Sequence, residues 1–367
     1  MKILFDLSAI YDHLTGIERY AINISQNIIL SHPEDEYILI FKNEVHNCFS
    51  EIAMQKNVEV RILRACHKLA YYQWRLMREL YRCQADRYVF LSFVSPWLFR
   101  SKNIINTIHD ISAWDCPSSN RKLMVWYGKI GIVDAIKKSK AIVTVSEFSK
   151  SRIVDRLGAD REKVYVAYNG VSAQFLNEQS SIQNEAIREK YNLPQKYILC
   201  LSTLEPRKNM RLLIDAYIKL VEEKAIDCDL VLAGRKGWKL EDAVGSVTDR
   251  RIHLTGFVDD SDLPAVYRLA DMFVFPSVYE GFGIPIIEAM SQGTVVISSD
   301  SSSLPEVIGD AGILFKNNSM SELKKAICTV ASMEEEEKRE LIQKGYERMS
   351  MFSWENEAEK YYKIIEA

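Results

Sequence analysis

Short apolar runs alternate with amphipathic stretches along almost the whole chain. An apolar run of a few residues is typical of a strand that is buried on both faces of a parallel sheet. Strands that alternate with helices predict parallel sheets in doubly wound α/β domains. The candidate strands lie at residues 3–7, 37–41, 58–62, 88–91, 104–107, 141–145, 164–167, 197–201, 230–233, 252–254, 272–275, 295–298 and 313–315.

A polar stretch interrupts this alternation between residues 172 and 195 and contains Pro194. We interpret it as the connection between two Rossmann-like domains, because 367 residues are enough for two domains that each bury a core. The expected divisions are an N-terminal domain at 1–176, a linker at 177–195, a C-terminal domain at 196–350 and a terminal helical segment at 351–367.

The composition narrows the class of protein. Hydrophobic residues make up 47% of the chain and charged residues 26%, as in soluble globular proteins, and the net charge of −3 argues against a nucleic-acid partner. Residues 1–180 contain 24 Lys and Arg against 19 Asp and Glu. This mildly basic balance is compatible with an anionic acceptor or a membrane surface.

Seven cysteines are scattered without a Cys-x-x-Cys pair, which argues against a zinc site and a disulfide framework. No apolar run reaches the roughly 18 residues of a membrane span. The N-terminal apolar run is interrupted by Asp6, unlike the core of a signal peptide. We therefore expect a cytoplasmic protein and leave open a peripheral contact with the cytoplasmic (inner) membrane face.

The segment from Phe273 to Gly293 carries the strongest functional signal. Its apolar run ends at Pro276, the turn Glu280-Gly281-Phe282-Gly283 follows, and a helix that carries Glu288 begins near Pro285. Two glycines let the backbone approach a ligand closely, and a helix N-terminus favours an anion. With two carboxylates beside it, this turn predicts a phosphate-bearing ligand with hydroxyl groups, such as a nucleotide sugar. The alternative is an ordinary strand–turn–helix unit with exposed glutamates.

A second turn, Thr203 to Asn209, follows the candidate strand at 197–201 and precedes a helical pattern that begins near Met210. Arg207 offers a planar fork of donors and Lys208 a compact charge, a combination that suits a diphosphate. Solvated loop charges are the alternative. Two such turns at the carboxyl ends of strands in one domain favour a binding site, since ligands of doubly wound sheets lie there.

These two turns resemble those of the retaining glycosyltransferases of family 4. Glu280 and Glu288 fit the E-x7-E motif of that family, and Glu205 to Asn209 fits its basic turn. Within the family the chain is most similar to bacterial mannosyltransferases that build surface polysaccharides. Other matching pieces, spread over essentially the whole chain, are Thr15–Tyr20, His109-Asp110, Ser146–Ser149, Asn169–Val171, Gly256–Val258, Leu304–Val307 and Phe352–Glu355.

The resemblance implies the GT-B fold, in which an N-terminal acceptor-side domain and a C-terminal nucleotide-sugar-binding domain face a central cleft. It also implies that the last helix packs back on the N-terminal domain. Catalysis needs no metal and no cofactor other than the donor. Arg207 and Lys208 would stabilise the leaving diphosphate, helped by backbone N–H groups from Gly281 through Phe282 to Gly283.

Other roles carried over by the resemblance concern the sugar and the nucleoside. Val258 would lie near the base, Glu288 would bind the ribose hydroxyls, and Glu280 would hold hydroxyls of the donor sugar rather than act as a covalent nucleophile. His109 is expected to contact a sugar hydroxyl or the acceptor, and Asp110 to belong to the donor site. A packed histidine with one satisfied nitrogen is the alternative for His109.

Two further positions in the first half keep competing interpretations. Gly16 follows the first strand and would let the backbone approach the donor, or it forms a plain turn before a helix at 17–30. Glu147 lies at another strand end, where a capping arrangement with Ser146 is at least as good an explanation. The cluster Asp259-Asp260-Ser261-Asp262 looks superficially like a metal site, but we favour a helix N-cap, because Asp and Ser satisfy free N–H groups there.

The sequence departs from the family pattern at three positions. Ser202 stands where the basic turn usually has Gly, Ser8 where Arg is usual after the first strand, and Ser172 where Asp often follows Asn169–Val171. These changes bear on details of the donor and not on the class of reaction. 

The stretch Lys68 to Arg82 carries an apolar stripe, with basic residues, a tryptophan and tyrosines around it. Such a helix suits a membrane surface or a lipid-diphosphate acceptor. The alternative, which we favour, is a helix that packs its stripe on the sheet and leaves its charges in solvent.

The expected activity is retaining transfer of a hexose to a growing surface glycan or a lipid-linked saccharide, with GDP-mannose favoured as the donor. The alternatives are the same reaction with a UDP-sugar donor, a nucleotide-sugar epimerase, and a non-catalytic GT-B scaffold or glycan-binding protein.

Overall fold

The computed structural model describes residues 1–10, 14–64, 71–117, 122–176, 181–235, 237 and 249–367, without the side chains of 122–124 and 181–183. The chain divides into two compact units. The first contains Met1–Asn169 together with Ser353–Ala367, and the second contains Gly170–Phe352.

The first unit contains a parallel sheet of seven strands in the order β3-β2-β1-β4-β5-β6-β7. Its strands are β1 (Lys2–Asp6), β2 (Glu36–Lys42), β3 (Val58–Leu63), β4 (Arg87–Phe90), β5 (Ile104–Thr107), β6 (Ala141–Thr144) and β7 (Val164–Val166). Its helices are α1 (Gly16–Ser31), a π-helical segment (Tyr71–Leu76) that continues into α2 (Met77–Cys83), α3 (Ser112–Asp115), α4 (Lys122–Lys138), α5 (Glu147–Leu157) and the C-terminal helix (Trp354–Glu366).

The second unit contains a parallel sheet of six strands in the order β10-β9-β8-β11-β12-β13. Its strands are β8 (Tyr197–Leu201), β9 (Asp229–Ala233), β10 (Ile252–Gly256), β11 (Met272–Phe275), β12 (Val296–Ser299) and β13 (Ile313–Phe315). Its helices are α6 (Ser181–Lys190), α7 (Met210–Glu222), α8 (Leu263–Arg268), α9 (Ile284–Ser291), α10 (Leu304–Ile308), α11 (Met320–Ala331) and α12 (Glu335–Ser350).

Both sheets confirm the predicted doubly wound α/β class. Each candidate strand of the sequence overlaps one strand of the structure, and all described strand pairs are parallel. The central strands are buried along almost their whole length because helices cover both faces of the sheets. In the second unit, side chains of β8, β9 and β11 are buried with the inner face of α7, including Leu213 and Tyr217.

In each sheet the strand order reverses once. In the first sheet the reversal lies between β1 and β4, and in the second it lies between β8 and β11. Loops that leave neighbouring strands at such a reversal diverge to opposite faces, which opens a crevice at the carboxyl ends of the strands. The basic turn follows β8 and the Glu280 loop follows β11, so both border this position in the second unit.

The stretch expected to be a polar linker differs from that expectation. The chain passes from the first unit to the second at Asn169–Gly170, and residues 181–190 form α6. Ile187 and Leu193 are buried, and Lys190 forms ion pairs with Asp259 and Asp262. Two apolar side chains, Ile187 and Leu193, and one cation, Lys190, therefore attach this segment to the second unit, although the segment is polar on average. Residues 177–180 lie outside the described part of the chain.

The C-terminal helix packs within the first unit. Trp354 makes an edge contact with Tyr20 of α1 at a ring-centroid distance of 5.9 Å. The hydroxyls of Tyr361 and Thr107 are 2.9 Å apart, and Glu357 accepts a hydrogen bond from the backbone N–H of Tyr168 at 2.9 Å. The helix thus contributes side chains to the core of this unit.

The helix predicted around residues 68–82 buries its stripe on the sheet. Tyr72, Leu76 and Leu80 are buried against residues of β2, β4 and β5. This confirms the interpretation in which the stripe packs inside the protein. Residues 68–70 lie outside the described residues.

Candidate active site

The basic turn is a short 3₁₀ segment, Pro206–Lys208, that leads into α7. Asn209 closes it with a left-handed φ of 56°, a conformation that Asn tolerates better than most residues. The segment after β9 lies against the turn, where a side chain on Gly234 would come within 1.9 Å of the Ser202 carbonyl oxygen. Gly234 has a φ of 135°, so this position requires glycine for both reasons.

Arg207 ties the basic turn to the loop after β11. Its Nη1 donates to the carbonyl of Tyr279 at 2.7 Å and to Glu280 Oε2 at 2.8 Å. Its Nη2 donates to Glu205 Oε1 at 2.9 Å. The backbone N–H of Val278 donates to the Arg207 carbonyl at 3.0 Å. Side chain and backbone therefore fix the same two loops to each other.

Lys208 completes the cluster. Its Nζ donates to Glu280 Oε1 at 2.6 Å, so Glu280 bridges both cations, one with each oxygen. Nζ also lies 5.3 Å from the centre of the Phe275 ring. The cluster of Glu205, Arg207, Lys208 and Glu280 thus holds two cations and two carboxylates.

Burial and charge act in opposite directions on these groups. Burial alone would raise the pKa of Glu280, but the charges of Arg207 and Lys208 and the hydrogen bond from Lys208 lower it to about 2. Burial lowers the pKa of Lys208, and Glu280 opposes that change. Glu280 is therefore a carboxylate at neutral pH, with both oxygens engaged, and it is not placed to donate a proton.

Serine side chains hold the Glu280 loop from the other side. The N–H of Glu280 donates to Ser302 Oγ at 2.8 Å. Ser303 Oγ donates to the carbonyls of Glu280 and Phe282 at 3.0 and 2.8 Å. The loop after β12 thus fixes the backbone of the loop after β11, a role that our sequence analysis missed although the serine run at 298–303 is visible in the sequence.

The helix after this loop begins as predicted, and its first turn depends on glycine. Gly283 takes the N-cap position with φ 112°, and a side chain there would come within 2.8 Å of Leu304. Phe282 is buried and its ring contacts that of Phe352 with a centroid distance of 5.3 Å. Because the Phe282 ring points into the core, Gly281, Phe282 and Gly283 can serve a ligand only through their backbone.

Glu288 lies on the second turn of α9 and is buried. Its Oε2 accepts a hydrogen bond from the Tyr267 hydroxyl at 2.9 Å. Val258 follows β10 and is buried as well, whereas its neighbour Phe257 is exposed and stacks with Arg235, whose guanidinium carbon is 4.8 Å from the ring centre.

The acidic cluster at 259–262 supplies the N-cap residue of α8 as predicted, but the expected hydrogen bond from the Asp262 side chain to the helix end is not formed. Asp262 occupies the N-cap position without a side-chain capping bond. It accepts hydrogen bonds from Lys190 Nζ at 2.6 Å and from the Tyr191 hydroxyl at 2.8 Å. The Lys190 ammonium at the end of α6 thus binds the carboxylates of Asp259 and Asp262, and the Asp262 carboxylate does not bind the N–H groups at the start of α8. Among the described residues no cluster of His, Cys, Asp and Glu is suited to hold a metal ion.

The candidates of the first unit lie near the carboxyl edge of its sheet. His109 Nε2 is 2.8 Å from the Leu91 carbonyl, which only accepts, so Nε2 carries the proton. Its ring also contacts Tyr20 edge-on at 5.1 Å, and burial lowers the pKa of His109. The Nε2 atom of His109 therefore has a hydrogen-bond partner within the first unit, as the alternative of a packed histidine requires. The ring nevertheless lies at the carboxyl end of the strand. Asp110 accepts from the N–H of Ser112 at 2.7 Å.

Gly16 is the first residue of α1, where Thr15 and Glu18 form a capping box. Ser146 caps α5 by accepting from the N–H of Ser149, which explains the Ser146–Glu147 pair as a helix start. The structure thus gathers Arg207, Lys208 and Glu280 into one cluster of the second unit, with Gly281–Gly283 beside it. His109, Asp110 and Gly16 belong to the other unit.

The chain matches the sequence patterns of two known groups of proteins. The sequence pattern of the group 1 glycosyl transferases matches residues 183–348, and that of Glycosyltransferase Family 4 matches residues 45–175. The chain is 31% identical to the O-antigen chain mannosyltransferase B of Escherichia coli over 373 residues, which cover 97% of this chain and 97% of that protein. The chain belongs to glycosyltransferase family 4.

Solved structures place this family 4 glycosyltransferase in the GT-B fold. Anabaena HepE in complex with UDP and glucose has a TM-score of 0.75 at 17% identity over 100% of both chains. WaaG, a glycosyltransferase involved in lipopolysaccharide biosynthesis, has a TM-score of 0.76 at 16% identity over 99% of both chains. Within the described residues, no helix has the length and apolar character needed to cross a membrane.

Proposed function

We propose that this glycosyltransferase moves a hexose, namely mannose from GDP-mannose, to a growing surface glycan or a lipid-linked saccharide with retention of the anomeric configuration. The observation that carries the proposal is the pair of fixed cations, Arg207 and Lys208, at the strand-order reversal of the second sheet. The name of the O-antigen chain mannosyltransferase B supports mannose and a glycan acceptor.

The chemistry of transfer explains the need for these cations. When the bond between the sugar C1 and the phosphate oxygen breaks, both bonding electrons stay on the diphosphate. Positive groups fixed in a partly dry site stabilise that charge without reorganising during the reaction. An ammonium has three N–H donors, and Glu280 is the single acceptor that Lys208 Nζ contacts within the described residues, so Lys208 retains donors for a phosphate oxygen.

In this proposal the two carboxylates of the E-x7-E motif bind hydroxyl groups. Glu280 stays ionised because its pKa is about 2, so it accepts hydrogen bonds and holds Arg207 and Lys208 in place. Glu288 binds the ribose hydroxyls and Val258 lies near the base. Backbone N–H groups of Gly281 to Gly283 assist at the diphosphate, and the cleavage uses no metal.

The candidates of the first unit have their roles here as well. We assign His109 a contact with a sugar hydroxyl or the acceptor, and its unprotonated Nδ1 is the atom suited to accept from a hydroxyl. We assign Asp110 and Gly16 contacts with the donor in the same proposal. The acceptor is a glycan or lipid-linked saccharide, and a peripheral contact with a membrane surface belongs to the same proposal.

A second candidate donor is a UDP-sugar. HepE is similar in fold over its whole length and was solved with UDP and glucose, which favours this alternative specifically. The two donors share the diphosphate that the cation pair would bind, and they differ at the base.

A thermal-shift screen against GDP, UDP, ADP and their common sugar conjugates separates these donors. A ligand that binds the folded protein raises its unfolding midpoint by mass action. We expect a shift with GDP and GDP-mannose alone. A shift confined to UDP and its sugars would replace the mannose proposal and leave the reaction class in place, whereas no shift with any nucleotide would contradict a preformed donor site.

A further inference from the structure

We propose that Tyr267 is a positioning residue that fixes the Glu288 carboxylate for the hydroxyl groups of the ribose. The inference rests on the proposed function, in which Glu288 binds these hydroxyls, and it assigns part of that binding to a residue outside the E-x7-E motif. Its test compares nucleotides with and without ribose hydroxyls, so that its failure is distinguishable from failure of the proposed donor site.

The two side chains meet in the interior of the second unit. Tyr267 lies on α8 and is fully buried, and Glu288 lies on α9 and is only 5% exposed. The Tyr267 hydroxyl donates to Glu288 Oε2 at 2.9 Å. A buried carboxylate needs such donors, because burial without them is costly. Since a phenol donor carries no positive charge, it supports the carboxylate and leaves its negative charge available to other hydroxyl donors.

Two aromatic neighbours hold the Tyr267 ring. Its centroid lies 5.3 Å from that of Phe273 on β11 and 6.0 Å from that of Phe175, and both pairs meet edge to face. Edge-to-face pairs at such distances are favourable beyond the area that they bury. The packed ring therefore keeps the phenol hydroxyl at a fixed position against the Glu288 carboxylate.

Residues that follow α9 hold the backbone around the same phenol. The Thr294 hydroxyl donates to the Tyr267 carbonyl at 2.7 Å. Gln292 Nε2 donates to the carbonyl of Phe175, whose ring contacts Tyr267, at 2.6 Å. The segment that carries Glu288 is therefore joined to Tyr267 through the phenol hydroxyl, through the backbone carbonyl and through a shared aromatic neighbour. These contacts fix the phenol relative to the carboxylate before a ligand binds.

A carboxylate fixed in this way suits the two neighbouring hydroxyls of a ribose. An ionised carboxylate has about four acceptor sites on its two oxygens, and the Tyr267 hydroxyl occupies one of them. A fixed glutamate loses its rotamer freedom during folding and does not lose it again when the nucleotide binds, which increases affinity. Tyr267 thus contributes to ribose binding through Glu288.

The alternative is a purely structural role, in which the bond only satisfies a buried phenol, as hydrogen bonds do in protein cores generally. A structural role would change the unfolding free energy and leave the preference among nucleotides unchanged. A positioning role changes the preference for ribose hydroxyls. The ratio of two affinities within one variant separates the two roles, because any change in the folded fraction affects both affinities equally.

Isothermal titration of GDP and 2′,3′-dideoxy-GDP, with UDP and 2′,3′-dideoxy-UDP in parallel, measures this ratio. We expect the parent protein to bind the ribose form at least about tenfold more tightly than the dideoxy form, the usual effect of a hydrogen bond to a charged group. Tyr267→Phe removes only the hydroxyl and should weaken binding of the ribose form by about three- to tenfold. Binding of the dideoxy form should not change. Glu288→Gln should lose most of the preference.

Tyr217→Phe is the matched control. Tyr217 is fully buried in the same unit, and its hydroxyl donates to the Cys228 carbonyl at 3.0 Å, at the amino end of β9. This variant loses the same atom and should keep the preference of the parent, while urea unfolding compares the stability of the two Tyr→Phe variants.

Three results would each overturn the inference. If Tyr267→Phe keeps the full preference while Glu288→Gln loses it, Tyr267 has no positioning role and the proposed donor site stands. If the parent binds ribose and dideoxy forms equally, the role of Glu288 fails as well. If the parent binds none of these nucleotides, the proposed donor site fails with both.

Discussion

At the scale of single residues, Glu280 divides its two carboxylate oxygens between Arg207 and Lys208. A buried carboxylate is costly unless cations and hydrogen-bond donors compensate it. Here both compensating cations, Arg207 and Lys208, come from one turn. Glu205 accepts a hydrogen bond from Nη2, the other terminal nitrogen of the Arg207 guanidinium. The arrangement keeps two positive groups at fixed positions before any ligand arrives, which is what stabilisation of a leaving diphosphate requires.

Replacing Arg207 tests this arrangement. We expect Arg207→Ala to lower kcat/KM by about 100-fold or more, the usual size of the effect when a fixed donor to a developing charge is removed. Arg211→Ala is the control, because Arg211 is exposed on α7, the helix that follows the basic turn, and pairs with Asp215. Release of nucleoside diphosphate in the presence of acceptor is the measurement. Unchanged turnover in Arg207→Ala would refute the assignment of the leaving-group site.

The low pKa of Glu280 makes a prediction about stability and pH. Its folded value of about 2 lies below the ordinary value of 4.5, so its contribution is fully present above pH 4.5 and is lost as the pH falls toward 2. This lowering of the Glu280 pKa corresponds to roughly 3 kcal/mol of unfolding free energy. Urea unfolding of the parent and of Glu280→Gln should show a difference in unfolding free energy that shrinks as the pH falls through this window.

The comparison isolates Glu280, since all other titrating groups are shared by the two proteins. A difference that stays constant from pH 6 to pH 3 would mean that Glu280 is not held as a carboxylate by the two cations.

Each site motif that the sequence predicted consists of residues that lie close together along the chain. The spacing of Glu280 and Glu288 and the adjacent cations were recognisable because they are contiguous motifs. The roles of Ser302 and Ser303 were not, because their contacts join two loops that are separated by 21 to 23 residues along the chain. Asp262 misled for a related reason: its local pattern suits a cap, but Lys190 and Tyr191, about seventy residues earlier, bind it instead.

At the scale of elements, the loops after β8, β11 and β12 form one supported unit. Gly283 lets the loop after β11 enter α9 at a positive φ, while the serines after β12 bind the carbonyls of the same loop. The strands themselves were predictable because a buried parallel strand is a continuous apolar run. Helix α6 was not, since its polar sequence lacks a strong period and its position depends on Ile187 and on carboxylates of another loop.

A pair of glycine substitutions tests this element. Gly283→Ala would force a Cβ into a positive-φ position and toward Leu304, so we expect a loss of about 1–3 kcal/mol in unfolding free energy. Gly128→Ala is the matched control, because no atom lies within 4 Å of its added Cβ in helix α4. That change should stabilise by up to about 1 kcal/mol. Urea unfolding measures both, and equal effects of the two changes would contradict the proposed geometry at Gly283.

At the scale of the whole molecule, each parallel sheet gathers its functional candidates at the carboxyl ends of its strands. The second unit contains the cation pair at the reversal between β8 and β11, and the first contains His109, Asp110 and Gly16 beyond its own strands. The sequence supported this organisation through its alternation of strands and helices. It also singled out residues 68–82 for their tryptophan, tyrosines and basic residues, but the exposure of Trp74 depends on which side of the helix packs on the sheet.

In the proposed function, Lys208 and Arg207 bind the diphosphate of a nucleotide sugar. Isothermal titration of GDP into the parent protein, Lys208→Ala and the control Lys219→Ala tests it most directly, since Lys219 is exposed on the helix that follows the basic turn. A charge-assisted contact to a partly buried ammonium predicts an affinity loss of at least about tenfold in Lys208→Ala and none in Lys219→Ala. Equal affinity for GDP, and for UDP in a parallel titration, in the parent and Lys208→Ala would contradict the account.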